Sequence, residues 1–424
     1  MISPDYVPSD TQYGFRSGRS TAFVTCLIND VAAYFNAAGS PVYLCTLDAE
    51  KCFDSIWHSG LFYKLWKKLP PQHWALLLNW YRSTKAAVRW EGHSSHVFLV
   101  SRGMKQGSLL SPTLFNIFLD DLLIELKGTE SGIRIDDLHM NSCAYADDVS
   151  LFSATIPGLQ LLMNVSSHYA RTWRFSFSTK KTRCIILGKP LTRTPPVWHL
   201  NSHTINISNE VEILGVTFSA DRNPDLHITN RMSSCRKAMY SLSSAGMSYP
   251  GLHASVKSHI WKTIGVPSLL YGMESLAISA NGFNKLSCAA TNTLKSVFGI
   301  PKRSHHSDLL RALKIQPVTE NIKFLAASLF HRIFKENSPT REFQARLLAR
   351  QMVTGTCING TLLSQISNFG LNPISIIFEK PVRNSFNNIP DGVVDSLHYL
   401  LHHENYVKPW THEFTLVTLF TRAF

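Results

Sequence analysis

Apolar and polar positions follow two different periods along the first half of the chain. The segment "PVYLCTLDA" (41–49) is apolar on both faces, which predicts a buried strand. The segment "SPTLFNIFLDDLLIELKG" (111–128) carries a leucine or phenylalanine every four residues between Pro112 and Gly128, which predicts a helix. Strands and helices that alternate in this way are typical of α/β or α+β domains.

Further segments of the same half repeat these patterns. We predict helices over 21–39 and near 157–173, and a helical stripe over 51–69 that Gly60 weakens. Hairpins are predicted over 86–103, around Gly92, and over 142–153, with strands at 182–188 and 211–219. Helical stripes dominate from about residue 221, so we expect a domain boundary near 219–225.

The charge of the chain is unevenly distributed. The sequence holds 42 Lys and Arg against 29 Asp and Glu, a net charge of +13. Residues 1–220 contribute 20 basic and 17 acidic side chains, whereas residues 221–424 contribute 22 and 12. Basic side chains gain free energy by releasing counterions from phosphates, which favours a polyanionic partner. A purely solubilising role for the charge is the open alternative.

The cysteines and the apolar runs indicate an intracellular protein. The eight cysteines show no CxxC pair and no regular spacing, which is typical of buried free thiols in a reducing compartment. The first residues lack the basic and apolar regions of a secretory signal. No apolar run approaches the roughly 18 residues of a membrane span.

Three Asp-Asp pairs are candidates for chemistry, and their surroundings differ. Asp120–Asp121 lie within the helix of 111–128, where a solvated helix face explains them. Asp136–Asp137 read as the turn of a strand-turn-strand connector. The pair 147–148 in "SCAYADDVSLFS" interrupts an apolar hairpin, where two like charges repel unless a cation lies between them. A polar hairpin tip is the alternative.

A third carboxylate strengthens the metal hypothesis. Asp48 ends the predicted buried strand of 41–49. Three carboxylates at a strand end and a neighbouring hairpin suit two oxygen-preferring ions, Mg²⁺ or Mn²⁺, that activate a 3′-hydroxyl and steady a leaving pyrophosphate. Asp48, Asp147 and Asp148 are therefore the candidate metal ligands.

A series of motifs resembles the reverse transcriptases of non-LTR (LINE-type) retrotransposons. "CAYADDVSLF" resembles their YADD/FADD box, and "YLCTLDAEKCFDSIWH" resembles the first carboxylate box. "GMKQGSLLSPTLFNIFLDDLL", "FSTKKTRCIILGK" and "VEILGVTF" are similar to the template and nucleotide box, the lysine box and the primer-grip hairpin. "QYGFRSGRST", "VPSLLYGMES" and "LKSVFGIPKRS" resemble flanking segments of the same family, and the first two weigh against a group II intron or telomerase-type enzyme.

The resemblance implies a fold and a division into domains. The expected fold class is α+β, a right-hand polymerase palm with an antiparallel sheet backed by helices, followed by a mainly helical thumb and a C-terminal region. The expected domains are a palm with partial fingers over 1–219, a thumb over 220–335 and a region of unknown role over 336–424.

The resemblance also assigns roles to residues of this sequence. Asp48, Asp147 and Asp148 match the metal ligands, and Lys181 matches the lysine that protonates or neutralises pyrophosphate, with Lys180 beside it as an alternative register. Phe53 matches the residue that excludes a ribose 2′-OH, although a core role fits its pattern equally. The remaining matches are Gln106, Gly107 and Ser108 for the nucleotide, and Tyr145, Leu214, Gly215, Arg16 and Arg19 for primer and template. For the two arginines, a structural role is the alternative.

The implied function is RNA-directed DNA polymerisation. The partners would be an RNA template, a DNA primer or target, and dNTPs. The family's segment before "QYGFR", with basic fingers residues that grip the triphosphate, has no counterpart here, so the chain is expected to be N-terminally truncated. A catalytically inactive remnant that binds nucleic acid is therefore the competing hypothesis.

Overall fold

The structure is a computed structural model that describes residues 8–105, 107–247, 252–301, 303, 309–311, 313–379 and 381. The α-helices, in chain order, are α1 (Thr21–Ala37), α2 (Cys52–Ser55), α3 (His58–Leu65), α4 (Pro71–Arg82), α5 (Ser111–Lys127), α6 (Ile156–Thr172), α7 (Asp225–Ser241), α8 (Ala254–Ile260), α9 (Val266–Leu270), α10 (Ala280–Phe298), α11 (Val318–Lys335), α12 (Pro339–Thr354), α13 (Leu362–Asn368) and α14 (Pro373–Phe378). A π-helical turn, Trp261–Gly265, joins α8 to α9.

The strands are short apart from those of one central sheet. In chain order they are β1 (Val42–Asp48), β2 (Lys85–Ala86), β3 (Arg89–Trp90), β4 (His93–Ser94), β5 (Phe98–Leu99), β6 (Ile133–Ile135), β7 (Leu138–Met140), β8 (Ser142–Tyr145), β9 (Asp148–Ser153), β10 (Arg183–Leu187), β11 (Trp198–Leu200), β12 (His203–Ile205), β13 (Glu210–Ile213) and β14 (Val216–Ser219). The central sheet has the order β10-β1-β9-β8, and the other ten strands form two-stranded ladders.

The chain divides into two compact units. The first comprises Met1–Thr21, Pro41–Ile186 and Pro190–Ser208, and the second comprises Ala22–Ser40, Leu187–Lys189 and Asn209–Phe424. The first unit contains the central sheet, and the second is mainly helical. This is the expected α+β fold. The predicted domain limits stay a prediction, and residues 382–424 of the predicted C-terminal region lie outside the described residues.

The core of the first unit lies between the central sheet and helices α5 and α6. Strand β1 is buried over most of its length, as its apolar faces predict. Cys45 and Leu47 of β1 join one apolar cluster with Phe118 of α5 and Leu159 of α6. The sheet is therefore backed by helices on this face. The other end of the cluster is closed by residues of α3 and α4.

One predicted helix is wrong, and two elements of the structure were not predicted. The predicted helical stripe over 51–69 is two helices, because Ile56 and Trp57 adopt extended backbone angles between α2 and α3. Gly60, where the weakness was expected, lies within α3, and a Cβ there would stand 2.6 Å from the Trp57 ring. Helix α4 and the β11–β12 hairpin have no counterpart in the expectations from sequence.

The Asp120–Asp121 pair is not a solvated helix face. Asp120 is buried and accepts a hydrogen bond from the Ser9 backbone N–H at 2.7 Å. Asp121 forms ion pairs with Lys64 and Lys68, both at 3.0 Å. Asp136 occupies the turn between β6 and β7 with a positive φ of 54°, in agreement with the connector predicted there. Neither pair lies on the central sheet.

Candidate active site

The three predicted carboxylates stand at one edge of the central sheet. Strands β1 and β9 are antiparallel, and their register sets Asp48 opposite Asp148. Strands β8 and β9 form a hairpin in which Tyr145 is opposite Asp148, so Ala146 and Asp147 make the two-residue turn. The sequence prediction of an antiparallel hairpin at 142–153 is thereby confirmed. Asp48 at a strand end, Asp147 in the turn and Asp148 at a strand start become neighbours.

The turn requires a backbone conformation that its sequence does not favour. Ala146 has φ +58°, as the first central residue of a two-residue hairpin turn with the right-handed strand twist requires. A residue with a Cβ is strained in this region, and glycine or asparagine is usual there. The conformation therefore depends on support from the surrounding structure.

Gln12 supplies that support. Its Oε1 accepts hydrogen bonds from the backbone N–H groups of Ala146, at 3.1 Å, and of Gly14, at 2.9 Å. Its Nε2 donates to the Ala146 carbonyl at 3.4 Å. Gln12 is 1% exposed, so all three bonds are shielded from water. We identify Gln12 as a positioning residue that the sequence alone does not reveal.

Gly14 allows the same segment to lie directly on the turn. A Cβ on Gly14 would stand 2.3 Å from the Ala146 backbone nitrogen, so only glycine fits. The Gly14 carbonyl accepts a hydrogen bond from Asn116 Nδ2 of α5 at 2.9 Å. The "QYG" segment therefore connects α5 to the turn through hydrogen bonds and close backbone packing. Its glycine could have been noticed from the sequence, but its partner could not.

The charges of Asp48 and Asp147 affect the protonation of Asp148. Desolvation, as the largest cause, and the neighbouring charges of Asp147 and Asp48 together raise the pKa of Asp148 to about 6, against a lowering effect of Lys181. Asp148 is nevertheless partly open to solvent. Such mutual repulsion favours the binding of a cation.

Lys181 lies beside the carboxylates because a turn follows a short stretch of backbone pairing after β1. Ala49 and Phe177 form a β-bridge, and the Ser178 N–H donates to the Asp48 carbonyl at 2.8 Å. The turn at 179–181 then brings Lys181 Nζ to 3.3 Å from both carboxylate oxygens of Asp48. Of the two lysines in the motif, Lys181 is thus the one that contacts a carboxylate of the cluster.

A cysteine contacts the third carboxylate. The Cys52 thiol donates a hydrogen bond to Asp147 Oδ2 at 3.1 Å. Burial raises the pKa of Cys52, and the hydrogen bond with the Asp147 carboxylate raises it further, so the thiol stays protonated and acts as a donor. Cys52 begins α2, and the residue after it is the predicted nucleotide-contacting Phe53.

The donor set of these neighbouring carboxylates fits a divalent ion in chemistry. Carboxylate oxygens are the ligands that Mg²⁺ and Mn²⁺ prefer. Within the described ranges, no three His, Cys, Asp or Glu side chains are close enough to count as a metal site. The Lys181 contact leaves each oxygen of Asp48 with a further lone pair for a metal.

Phe53 and the Gly107–Ser108 turn are ordered by their own contacts. The Phe53 ring is half-buried and stacks on Phe115 of α5, with centroids 4.7 Å apart. Gly107 has φ +79°, a conformation natural to glycine, and among the described residues other than its chain neighbours no atom lies within 4 Å of the position of a Cβ. Ser108 Oγ accepts from the Leu110 N–H at 3.3 Å, just before α5. Gln106 lies outside the described residues.

The two arginines of the "QYGFRSGRS" segment contact backbone carbonyls. Arg16 Nη1 donates to the Ser9 carbonyl at 2.7 Å, and Arg19 Nη1 donates to the Gln12 carbonyl at 2.9 Å. Arg19 is 9% exposed and lies over the Tyr13 ring. These contacts favour the structural alternative for Arg19, while the phosphate contact of Arg16 stays a prediction.

The predicted primer-grip residues form a hairpin turn in the second unit. Leu214 and Gly215, with φ of 50° and 79°, connect β13 to β14. The Tyr271 hydroxyl donates to the Leu214 carbonyl at 2.8 Å, and a Cβ on Gly215 would stand 2.9 Å from the Tyr271 ring. The "LLYG" segment thus braces this turn. Tyr271 is a second positioning residue that the sequence alone did not reveal.

Comparison with known proteins decides the family. The model of the family "Reverse transcriptase (RNA-dependent DNA polymerase)" matches residues 5–218, which is half of the chain. The chain belongs to the reverse transcriptase family. The match covers the central sheet with all three carboxylates and Lys181, and it ends within β14.

The relatives of this reverse transcriptase come from mobile elements. It is 26% identical over 320 residues to the RNA-directed DNA polymerase from mobile element jockey of Drosophila melanogaster, covering 74% of this chain and 34% of that protein. It is 37% identical over 187 residues to the Pol polyprotein from retrotransposable element R2DM of Drosophila melanogaster, covering 42% and 18%. The chain thus spans about a third or less of these relatives. The predicted resemblance to non-LTR reverse transcriptases is confirmed.

Solved structures show a more distant likeness. Telomerase from Candida tropicalis, in complex with a fragment of telomeric RNA, aligns with a TM-score of 0.39 and 10% identity over 92% of this chain and 53% of that one. In the part of this reverse transcriptase that the structure describes, no helix is long and apolar enough to cross a membrane.

Proposed function

We propose that this chain catalyses RNA-directed DNA synthesis, adding dNTPs to the 3′-hydroxyl of a primer on an RNA template. The observation that carries the proposal is the meeting of Asp48, Asp147 and Asp148 at adjoining strand ends, with Lys181 on Asp48. The names of the relatives, RNA-directed DNA polymerases from mobile elements, support it.

The proposed cofactor is a pair of divalent ions, Mg²⁺ or Mn²⁺, held by the three aspartates. When bound, the ions would activate the primer hydroxyl and stabilise the charge of the leaving pyrophosphate. The role of the protein is to hold the three carboxylates together despite their repulsion. Gln12 and Gly14 do so for Asp147 by fixing the backbone of its turn.

The other predicted residues have roles around this centre. Lys181, exposed and close to Asp48, would donate a proton to the pyrophosphate or neutralise it. Phe53, fixed by its stacking on Phe115, would exclude a ribose 2′-hydroxyl. The backbone at Gly107 and Ser108 would approach the nucleotide closely, since no Cβ projects from Gly107. Tyr145 and the Leu214–Gly215 turn would contact the primer or template.

The proposed partners are an RNA template, a DNA primer or target, and dNTPs. The net charge of +13 supports binding to such polyanions. An intracellular location agrees with these partners and with eight cysteines that are free thiols in the structure.

Primer extension tests the proposal directly. The purified chain is given poly(rA)·oligo(dT) and dTTP with Mg²⁺ or Mn²⁺, alongside the Asp147→Asn variant. We expect the wild type to extend the primer, and the variant to lose at least about a hundredfold in rate, because metal stabilisation of the transition state contributes several kcal/mol.

Asp136→Asn is the matched control, since Asp136 is an aspartate in a hairpin turn of the same unit. It should extend the primer at the wild-type rate. Affinity for the hybrid, measured by fluorescence anisotropy, should be nearly unchanged in both variants. Retained hybrid binding without extension by the wild type would overturn the proposal in favour of the inactive remnant. Equal loss of binding and extension in Asp147→Asn would overturn the metal assignment.

A further inference from the structure

One segment of the first unit combines basic and aromatic residues as nucleic-acid sites do. Between Asp54 and Glu91 the sequence contains no acidic residue, six Lys and Arg, and eight aromatic residues, among them five of the nine tryptophans of the chain. Basic side chains interleaved with aromatic ones are typical of surfaces that bind single-stranded nucleic acid. Helices α3 and α4 lie within this segment.

The two helices form a groove with an aromatic lining. The groove has a volume of about 400 Å³, and its lining includes Phe62 and Tyr63 from α3, Trp66 directly after α3, and Trp74 and Tyr81 from α4. Phe62 and Tyr81 are buried at its base, with ring centroids 5.4 Å apart. Trp74 is fixed by a 2.8 Å hydrogen bond from its Nε1 to the Phe62 carbonyl.

Two large rings of the groove are left open to solvent. Tyr63 is 77% exposed and Trp66 is 56% exposed. The Trp66 ring meets the Trp74 ring edge to face at 4.7 Å, so its position is set while a face remains accessible. Exposed aromatic rings on a rigid support cost hydration free energy, and clusters of them mark binding surfaces. Their faces suit stacking with planar groups.

The charges around the groove select the kind of planar ligand. Arg82 lines the groove and Lys67 adjoins Trp66, and both are exposed and form no ion pair with any described residue. The nearby carboxylate of Asp121 is already engaged by Lys64 and Lys68. Flat rings with uncompensated positive charge complement bases and phosphates together. Unpaired bases are required for stacking, which excludes a duplex.

We infer that the α3–α4 groove binds a single-stranded nucleic acid, with bases stacked on Tyr63 and Trp66 and phosphates on Arg82 and Lys67; that this strand is RNA rests on the proposed function. This site is separate from the carboxylate cluster and does not depend on catalysis there. It would hold an unpaired part of an RNA while the carboxylates act on a primer terminus elsewhere.

The test measures RNA affinity with the full chain. A fluorescein-labelled, unstructured 20-nucleotide RNA is titrated by anisotropy, in the presence of a saturating, unlabelled and fully paired RNA–DNA hybrid that offers no unpaired bases. We expect the Tyr63→Ala/Trp66→Ala/Arg82→Gln triple variant to bind at least about tenfold more weakly than the wild type, since each stacked base contributes substantially to affinity. The RNA affinity of the triple variant should also depend less on salt concentration.

Two controls separate stacking and charge from damage to the fold. Tyr63→Phe/Trp66→Phe keeps the rings and should bind within about twofold of the wild type. Arg134→Gln removes an exposed arginine of β6 and should also leave the affinity unchanged. Extension of a short primed template should be equal in all variants. A loss of extension would therefore bear on the proposed polymerase activity, whereas a loss of RNA affinity alone bears on the groove.

Photocrosslinking gives an independent measurement. RNA that contains 4-thiouridine should crosslink to peptides within 58–82 in the wild type, and these crosslinks should disappear in the triple variant. Equal RNA affinity of the triple variant and the wild type would overturn the inference. So would a dimer that light scattering detects for the wild type but not for the triple variant, with RNA affinity unchanged, because the groove would then bind a second copy of the chain.

Discussion

Gln12 supports a turn that lies 134 residues further along the chain. We predict that Gln12→Leu destabilises the first unit by about 1–3 kcal/mol, because the N–H groups of Ala146 and Gly14 would be left buried without an acceptor. Primer extension should fall by more than the loss of folded protein explains, since the turn carries Asp147. Urea unfolding and the extension rate of the folded fraction measure the two effects.

Gln72→Leu is the matched control for this prediction. Gln72 is exposed on α4 and therefore supports no buried group. The control should match the wild type in both measurements. If Gln12→Leu unfolded at the wild-type urea midpoint and extended primers at the wild-type rate, the positioning role of Gln12 would be wrong.

Single residues differed in how far the sequence could reveal them. Asp147 and Asp148 stood out because charges within an apolar hairpin need a reason. Asp120 was misjudged, since its partner, the Ser9 backbone, lies 111 residues away. Gln12 gave no signal of its own, because a buried glutamine is recognisable only from the groups it contacts.

The β13–β14 hairpin is an element whose turn also depends on contact with a residue distant in sequence, Tyr271. We predict that Gly215→Ala costs clearly more than the roughly 1 kcal/mol of a strained alanine at positive φ, because the new Cβ would also meet the Tyr271 ring at 2.9 Å. The free energy of unfolding of the second unit, followed by hydrogen exchange of amides in β13, β14 and α7, measures the cost.

Gly39→Ala isolates the part that is due to backbone strain. Gly39 has φ +77°, nearly the same as Gly215, but no atom of a described residue beyond its two chain neighbours lies within 4 Å of its Cβ position. The difference between the two variants reports the Tyr271 contact. Combining Gly215→Ala with Tyr271→Leu should remove much of this difference as a coupling energy. Equal costs for the two glycine variants would show that Tyr271 does not brace the turn.

Elements with a long, regular pattern were predictable, and interrupted ones were not. Helix α5 and strand β1 follow their expected limits within two residues. The break between α2 and α3 was missed because Phe53, Trp57, Leu61 and Leu65 continue the helical spacing across it. The apolar side chains on both sides of the break pack into one core, so the pattern survives although the helix does not.

At the scale of the whole molecule, the sequence indicated the fold class but not how distant segments assemble. The pairing of β1 with β9 joins residues about 100 positions apart, and periodicity alone does not specify it. The order of the family's motifs supplied that information. The same limit applies to α1, which belongs to the mainly helical unit although it precedes every element of the central sheet.

A buried carboxylate of α1 contacts α12 and α13, which lie more than 300 residues later in the same unit. Asp30 of α1 is 0% exposed. It accepts hydrogen bonds from Asn29 Nδ2 at 3.0 Å, from the Leu362 N–H of α13 at 3.1 Å, and from Gln344 Nε2 of α12. Burial, partly offset by the hydrogen bonds from Leu362 and Gln344, raises the pKa of Asp30 to about 6. Among the described residues, Arg222 and Cys26 are titratable groups that also interact with it.

The raised pKa makes the stability of the second unit depend on pH. The folded state binds the Asp30 proton more tightly than the unfolded state, whose pKa is 3.8. The stabilisation is therefore complete below about pH 4 and is lost as the pH rises through about 6. We predict that the unfolding free energy of the wild type, relative to Asp30→Asn, falls by about 2–3 kcal/mol between pH 4 and pH 8.

Hydrogen exchange of amides in α1 and α13 provides the measurement, since these helices share the Asp30 contacts. Comparing each protein with Asp30→Asn cancels the titration of other groups. The control Asp136→Asn changes an exposed turn, so its unfolding free energy should vary with pH as that of the wild type does. A wild-type curve parallel to that of Asp30→Asn would mean that Asp30 has the same pKa in both states. The hydrogen bonds from α12 and α13 would then compensate its burial fully, and the connection between distant segments would be independent of pH.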